Sequence, residues 1–288
     1  MNIVCIGGGH GLAQVLSAIK PVCHQLTAIV ATTDNGGCTG KIRQLHDCIA
    51  LGDIRRCCVQ LASKANNTKE IYEYRFTNGD LKGHCLGNLI LLNMLQKARS
   101  ATAAVAEFNK LLNNSETVLP MSESPTDLVA VLHSGEEVFG ECAIDALNSL
   151  PEKIYLSNKV PASPGCVDAI LNADLVIIGP GSIISSVMPA LLIDEILHAI
   201  IDTSACRVFI ENTVDEDSVM KHSASAGVDW LQAQLGSKIY DLSISPSAIS
   251  EILDIDMRSK YGSGHLHDIN ELNHVFSAFL QSSMRKNI

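Results

Sequence analysis

The sequence predicts an α/β protein with a doubly wound, mostly parallel sheet in three layers. A unit of strand, glycine turn and helix opens the chain, and a second such unit begins near residue 174. The composition agrees, since 47% of the residues are hydrophobic but only 4% are aromatic. A core of Leu, Ile, Val and Ala suits parallel strands that are covered by helices on both faces.

The first unit lies at the N-terminus. Residues 3–6 form an apolar strand that ends in the glycine turn 7–11. Apolar residues at helical spacing follow, and Pro21 ends that helix. Residues 26–33 form the next strand, so the unit is a βαβ motif with a right-handed crossover.

The middle of the chain, about 54–150, predicts an insertion between two βαβ halves. Helical patterns cover most of 54–112. Residues 117–141 indicate an antiparallel accessory piece, with a hairpin turn at Ser134 and Gly135. We therefore expect a single domain over 1–288 that carries a helical and antiparallel insertion.

The second half returns to the parallel pattern. A very apolar strand at 174–178 ends in the Gly-Pro-Gly-Ser turn 179–182. The later elements are expected as a helix at 188–201, a strand at 206–210 ending near Asn212, a helix at 217–235 and a strand at 238–244. Doubly wound sheets bind ligands beyond the C-terminal strand ends, where the strand order switches between the halves.

Charge and cysteine content exclude several classes of protein. The formal net charge of -10 argues against binding to nucleic acid polymers, which need clustered Lys and Arg. No uninterrupted apolar stretch is long enough for a membrane span, and the N-terminal sequence lacks the marks of a signal peptide. The ten cysteines form no CxxC pair and are expected to be reduced thiols of a cytoplasmic protein.

The turn at 7–11 is a candidate phosphate cradle. Its glycines let backbone N–H groups approach an anion at a helix N-terminus. A strict dinucleotide fingerprint would need glycine at position 12, which is Leu12, so the match to an NAD site is imperfect. A tight packing turn is the alternative interpretation. The candidate residues are Gly8, Gly9, His10 and Gly11.

The loop at 34–40 is a more specific candidate. A packing turn needs one glycine, whereas this loop has three. Asp34 is also a tentative ligand for Mg²⁺ that bridges phosphate oxygens. A surface loop is the alternative interpretation. The candidate contacts with a diphosphate are Asp34, Asn35, Gly36, Gly37, Lys41 and Arg43.

Three further motifs supply candidate ligand contacts. Asp53 either caps the next helix or orients Arg55 toward the ligand, and both roles are compatible. His84 and Asn88 are four residues apart on one helix face, although a lone histidine is more often structural. The turn at 179–182 offers a second anion site at a helix start, with Gly181 and Ser182 as candidates.

The motifs resemble those of the CofD/YvcK family. The matching segments, in family order, are Ile-Gly-Gly-Gly-His-Gly-Leu at 6–12, Asp-Asn-Gly-Gly-Cys-Thr-Gly at 34–40, Gly-Asp-Ile-Arg at 52–55, Gly-His-Cys-Leu-Gly-Asn at 83–88 and Gly-Pro-Gly-Ser at 179–182. The overall pattern resembles the YvcK branch of gluconeogenesis factors over residues 3–212. Two departures are Asn35, where many relatives carry Asp, and Cys38, where Ser is usual.

This resemblance implies a Rossmann-like fold with a ligand at the glycine loops. The CofD branch moves a phospholactyl group from a guanosine-diphosphate-activated donor to a deazaflavin precursor, with Mg²⁺. The YvcK branch is linked to cell shape and to growth on gluconeogenic carbon sources, and its members are thought to bind UDP-sugars. By motif position, the resemblance assigns nucleotide or metal contacts to Gly8, Gly9, Gly11 and Asp34, and pocket positions to Asn88, Gly181, Ser182 and Asn212.

Three functions therefore follow as hypotheses. The first is a UDP-sugar binding protein without turnover that signals to an unidentified regulatory protein. The second is a Mg²⁺-dependent transferase of phosphorus-containing groups, of the CofD type. The third is an NAD-binding oxidoreductase, which Leu12 disfavours. Leu- and Ile-rich helices offer homodimer contacts as readily as core contacts.

Overall fold

The computed structural model describes residues 1–62, 67–212 and 224–245, together with 269, 270, 272–274, 276 and 277. Its strands are β1 (Asn2–Gly7), β2 (Gln25–Val30), β3 (Thr117–Pro120), β4 (Leu128–Val131), β5 (Glu137–Phe139), β6 (Lys153–Leu156), β7 (Leu175–Ile178), β8 (Cys206–Ile210) and β9 (Leu242–Ile244). Its α-helices are α1 (Gly9–Ile19), α2 (Gly37–Leu45), α3 (Gly52–Leu61), α4 (Thr68–Glu73), α5 (Leu86–Lys97), α6 (Ala101–Leu111), α7 (Glu141–Asp145), α8 (Cys166–Leu171), α9 (Met188–Leu191), α10 (Asp194–Asp202) and α11 (Ala224–Leu235). A 3₁₀ turn covers Lys20–Val22, and a π-helical turn covers Ile183–Val187.

The main sheet confirms the predicted doubly wound fold. Its six strands lie in the order β3-β2-β1-β7-β8-β9, and each neighbouring pair is parallel. The chain builds outward from β1 to β3 and then returns to β7 on the other side of β1. The switch point therefore lies between β1 and β7, whose C-terminal ends carry the glycine turns at 7–11 and 179–182.

Two hydrophobic cores lie on opposite faces of this sheet. Alternate residues of a strand point to opposite faces, so Ile3 and Cys5 of β1 enter one core and Val4 and Ile6 enter the other. Helices α1, α3, α5 and α6 supply the first core. Helices α8 to α11 and the strands β4 and β6 supply the second, which completes the three layers.

The accessory sheet is smaller than the predicted insertion and has different bounds. It has the antiparallel order β5-β4-β6 and includes the expected hairpin. Residues 117–120, expected in the accessory piece, instead form β3, a parallel edge strand of the main sheet. Both Val118 and Leu119 are buried, one in each core, which fits a strand covered on both faces. Strand β6 extends the accessory sheet beyond residue 150.

Several element boundaries also differ from those expected. Strand β2 ends at Val30, so residues 31–33 already belong to the loop. The helix expected at 188–201 is two helices, because the chain bends by 82° between Ile183–Leu191 and Asp194–Asp202. Strand β9 is shorter than expected, and the first part of the helix expected at 217–235 lies outside the described residues. Within the described ranges, no single helix is long and apolar enough to cross a membrane, and only that bent pair meets the length and composition together.

Replacing Phe108 by Ala should destabilise the protein by about 3–5 kcal/mol. The Phe108 ring is fully buried on α6 and packs edge-on against Tyr72, with ring centroids 5.6 Å apart. Leu111→Ala on the same helix is the matched control, since Leu111 is 49% exposed. Urea unfolding of both variants measures the effect, and equal midpoint shifts would contradict this account of the core.

Candidate functional site

The first glycine turn joins β1 to α1 and packs closely against two neighbours. Gly9 has a φ of +68°, and its N–H donates to Asp53 Oδ2 at 2.6 Å. A Cβ at Gly8 would lie 2.8 Å from that same carboxylate oxygen. A Cβ at Gly11 would lie 2.9 Å from the carbonyl oxygen of Pro180. The turn therefore has room for backbone alone, and its contacts are Asp53 and the turn that follows β7.

That second turn is fastened by an amide side chain. Asn212 follows β8, and its Oδ1 accepts the N–H of Gly181 at 2.8 Å while its Nδ2 donates to the Gly181 carbonyl at 2.9 Å. Ser182 caps the π-helical turn, since its Oγ accepts the N–H of Ser185 at 3.2 Å. The structure thus brings Gly181, Ser182 and Asn212 to the switch point beside the first turn, and it engages the Gly181 N–H within the protein.

The loop after β2 lies next to the first turn. Asp34 Oδ1 accepts the N–H of Gly36 at 2.7 Å. A Cβ at Gly52 would lie 3.2 Å from Asp34 Oδ2, so the start of α3 approaches this carboxylate closely. Asn35 Oδ1 accepts the N–H of Cys142 at 3.0 Å. The loop therefore holds the short helix α7, which follows the accessory strand β5, against the C-terminal end of β2.

Lys41 and Arg43 are both engaged by groups of the protein. Lys41 Nζ donates to the carbonyl of Lys82 at 3.0 Å. The Arg43 guanidinium pairs with Asp127 at 2.8 Å and donates to four carbonyl oxygens, which belong to Thr33, Asp34, Cys48 and Thr126. Arg43 thus joins α2 to the start of the 34–40 loop and to residues 126–127, and its diphosphate role stays a prediction.

Arg55 and Asn88 form a buried pair behind the site. Arg55 is 3% exposed, and its Nε donates to Asn88 Oδ1 at 3.1 Å. Its guanidinium also lies 3.5 Å from the carboxylate of Glu73. Burial lowers the pKa of Arg55. The pair ties α3 to α5 and places one positive charge behind the glycine turn.

A basic group that the sequence reasoning missed lies at the start of α1. Arg56 pairs with Asp53, the residue that accepts the Gly9 N–H. Partial burial, followed by the charge of Arg56, lowers the pKa of His10. His10, Arg56 and the buried Arg55 are therefore close enough to interact electrostatically. The only sequence signal for Arg56 was its place directly after Arg55.

Two carboxyl groups from α7 were also missed. Burial raises the pKa of Glu141 to about 9, and the nearby charges of Asp34 and Asp53 add to this effect. Burial likewise raises the pKa of Asp145, with Asp34 contributing. Glu141 accepts from Thr33 Oγ1 at 3.4 Å, which fixes α7 beside the end of β2. No local pattern could reveal this, because Glu141 lies more than a hundred residues from Asp34.

Asp34, the predicted Mg²⁺ ligand, lies near other carboxyl groups that affect its pKa. Burial raises the pKa of Asp34, and the charge of Asp53 raises it further, while the Gly36 N–H opposes both. A divalent cation would relieve this crowding of negative charge. Among the described residues, no three His, Cys, Asp or Glu side chains are arranged to hold a metal ion. The donor set therefore fits Mg²⁺ only in the common form where one or two carboxylates act with substrate phosphates and water.

The comparisons with known proteins identify the family of this chain. A family model described as 2-phospho-L-lactate transferase CofD matches residues 3–278. The chain belongs to the CofD family. A relative from Pasteurella multocida, named "Putative gluconeogenesis factor", is 39% identical over 255 residues, which cover 88% of this chain and 83% of the relative. A "Gluconeogenesis factor" from Listeria monocytogenes is 36% identical over 217 residues, or 75% of this chain and 67% of the relative. This CofD-family chain is thus of the gluconeogenesis factor (YvcK) type.

Solved structures extend the similarity to the fold. Two crystal structures of one Bacillus halodurans protein match this chain with TM-scores of 0.81 and 0.84. The first is 32% identical and covers 85% of this chain and 79% of that protein chain. The second is 26% identical and covers 95% of this chain and 97% of that protein chain. It is described as a member of the UPF0052 family. The Rossmann-like prediction is therefore confirmed for this CofD-family chain.

Replacing Glu141 by Gln should reduce the loss of stability between about pH 5 and pH 9. The folded-state pKa of Glu141 is raised from 4.5 to about 9, so the folded protein holds the proton more tightly than the unfolded chain. Wild-type stability due to this group is fully present below pH 4.5 and declines as the pH rises, by less than about 1.4 kcal/mol per pH unit. Glu141→Gln removes this dependence. Denaturant unfolding in EDTA across the range measures it.

The control for this experiment is Glu136→Gln, which changes an exposed carboxyl of the accessory hairpin. That variant should keep the wild-type pH dependence. If Glu141→Gln and the wild type show parallel pH profiles, Glu141 is ionised in the folded protein at neutral pH and the description of the cluster is wrong.

Proposed function

We propose that this chain binds a nucleotide diphosphate, specifically a UDP-sugar, at the C-terminal ends of β1 and β7. In this proposal it is a cytosolic gluconeogenesis factor that couples ligand binding to carbon metabolism and cell shape through a regulatory protein. The observation that carries the proposal is the Gly9 N–H, which donates to a carboxylate at 2.6 Å. The turn therefore already holds one anionic group through a backbone N–H, which is the kind of contact that a phosphate site uses.

The helix that follows strengthens this support. The first amides of an α-helix have no acceptor within the helix, and its dipole adds positive potential at the same place. Gly8 and Gly11 carry no side chain that could cover these amides. His10 and Arg56 add polar donors at the rim, and Arg56 supplies positive charge. In this proposal, a diphosphate oxygen would accept the Gly9 N–H, which Asp53 accepts in this structure.

Asp34 supports a metal-assisted version of the same site. In this proposal, Asp34 and the ligand phosphates together hold Mg²⁺, which supplies the positive charge needed beside Glu141 and Asp145. The free thiols of all ten cysteines support a reducing compartment such as the cytosol.

A CofD-type transferase is the second candidate. It is favoured by the family model, whose description names a 2-phospho-L-lactate transferase. Asp34 and Glu141 would then lie at the centre where a phosphorus-containing group is transferred from the activated nucleotide to an acceptor. Turnover separates the two candidates, because a sensor binds its ligand unchanged while a transferase forms product from donor and acceptor.

Isothermal titration tests the proposal directly, using UDP-N-acetylglucosamine, GDP and NAD with and without Mg²⁺. We expect saturable binding of the UDP-sugar, strengthened by Mg²⁺, and no product by chromatography after incubation. Preference for GDP with Mg²⁺ would favour the transferase, and preference for NAD would favour the oxidoreductase. Binding of none of the three would contradict a nucleotide site at these strand ends.

Gly9→Val is expected to weaken binding at least tenfold, or about 1.4 kcal/mol, since the side chain enters the turn at a φ of +68°. Gly135→Val is the matched control, because Gly135 has a φ of +83° and lies in the accessory hairpin with open space beside it. Equal loss of binding in both variants would show that backbone strain, and not the turn itself, causes the effect.

A further inference from the structure

Cys38, His84 and Cys85 form a small cluster that the nucleotide site does not explain. The sulfur of Cys38 lies 3.5 Å from His84 Nδ1 and accepts the N–H of Cys85 at 3.2 Å. Cys38 is the second residue of α2, so its sulfur also lies at a helix N-terminus. The Cys38 sulfur therefore has an imidazole nitrogen and a backbone N–H as direct neighbours.

Cys85 is close enough to Cys38 for a disulfide bond. The backbone N of Cys85 is 3.2 Å from the Cys38 sulfur, which puts the two Cα atoms within about 7 Å of each other. The Cys85 thiol donates to the carbonyl of Tyr72 at 3.2 Å. A disulfide with Cys38 would require this weak hydrogen bond to break.

Cys38 lies directly beneath the exposed first residue of α2. Cys38 is 4% exposed, but the preceding Gly37 is exposed and has open space on its Cβ side. Cys57 and Cys58 differ from Cys38, since burial raises the pKa of both thiols and no imidazole of the described residues is hydrogen-bonded to their sulfurs. Cys38 therefore differs from these two thiols in its contact with an imidazole and in its exposed neighbour Gly37.

We propose that Cys38 and Cys85 form a reversible disulfide when the protein meets a hydroperoxide. Cys38 passes its thiol proton to His84, and its sulfur attacks the distal peroxide oxygen. The O–O bond breaks, the alkoxide leaves with the proton from His84 as an alcohol, and Cys38 becomes a sulfenic acid. The Cys85 thiol then displaces hydroxide, which leaves as water, and the S–S bond closes.

The bond would join the start of α2 to the start of α5. Asn88 lies in the first turn of α5 and holds Arg55, while α2 follows directly on the loop that contains Asp34. Oxidation would therefore connect two elements beside the strand ends that are otherwise joined by hydrogen bonds and apolar contacts.

The test is treatment of the wild-type protein with hydrogen peroxide, followed by blocking of free thiols and mass spectrometry of the unreduced digest. We expect a linked peptide pair that contains Cys38 and Cys85 and disappears with dithiothreitol. In Cys85→Ser, dimedone should label Cys38 as sulfenic acid. His84→Ala should slow oxidation of Cys38 at least about tenfold.

Cys48→Ser is the matched control, because Cys48 belongs to the same apolar cluster but, within the part of the chain that the structure describes, has no hydrogen bond to a histidine. It should form the linked peptide in wild-type yield. The proposal is overturned if Cys38 stays unmodified while the exposed Cys142 is oxidised, or if Cys38 is linked to Cys48 instead. Wild-type peptide mapping decides this even if a variant fails to fold.

Discussion

The close approach of two glycine turns across the switch point is the constraint on which the rest of the site depends. Gly11 faces the backbone of Pro180, and a Cβ at Gly181 would lie 2.9 Å from that of Ser186. Because no side chains separate the turns, the N-terminus of α1 lies directly over the end of β7. Asn212 then fixes the second turn from the neighbouring strand. The main-chain amides are held in place by backbone packing rather than by flexible side chains.

Basic and acidic side chains approach the glycine turns from two different sides. The α3 side contributes Arg55 and Arg56, whereas the accessory unit contributes Glu141 and Asp145. The carboxyl groups are crowded enough that burial and mutual repulsion keep the proton on Glu141. Glu73 and Asp53 pair with the two arginines, so the positive charges are balanced within the protein. On the other side, burial and neighbouring carboxylates raise the pKa of both Glu141 and Asp145.

Sequence reasoning located the fold and the glycine turns because both are local signals. An apolar run that ends in glycines and leads into a helical pattern is visible within about 15 residues. The carboxyl groups of α7 and the contacts of Arg43 were out of its reach, since each depends on partners far away in the sequence. Residues 117–120 were misplaced for a related reason. A short apolar strand fits either sheet, and only the tertiary packing of Val118 and Leu119 decides which sheet it joins.

The position of β1 between β2 and β7 has a consequence for synthesis of the chain. Pairing of β1 with β2 needs only the first 30 residues, whereas pairing with β7 needs residue 178. During translation one edge of the central strand stays open while the helices and the accessory sheet are made. The glycine turn after β1 acquires its second wall only when β7 arrives. A ribosome-bound nascent chain that ends before β7 therefore has half of the sheet but lacks the paired glycine turns of the switch point.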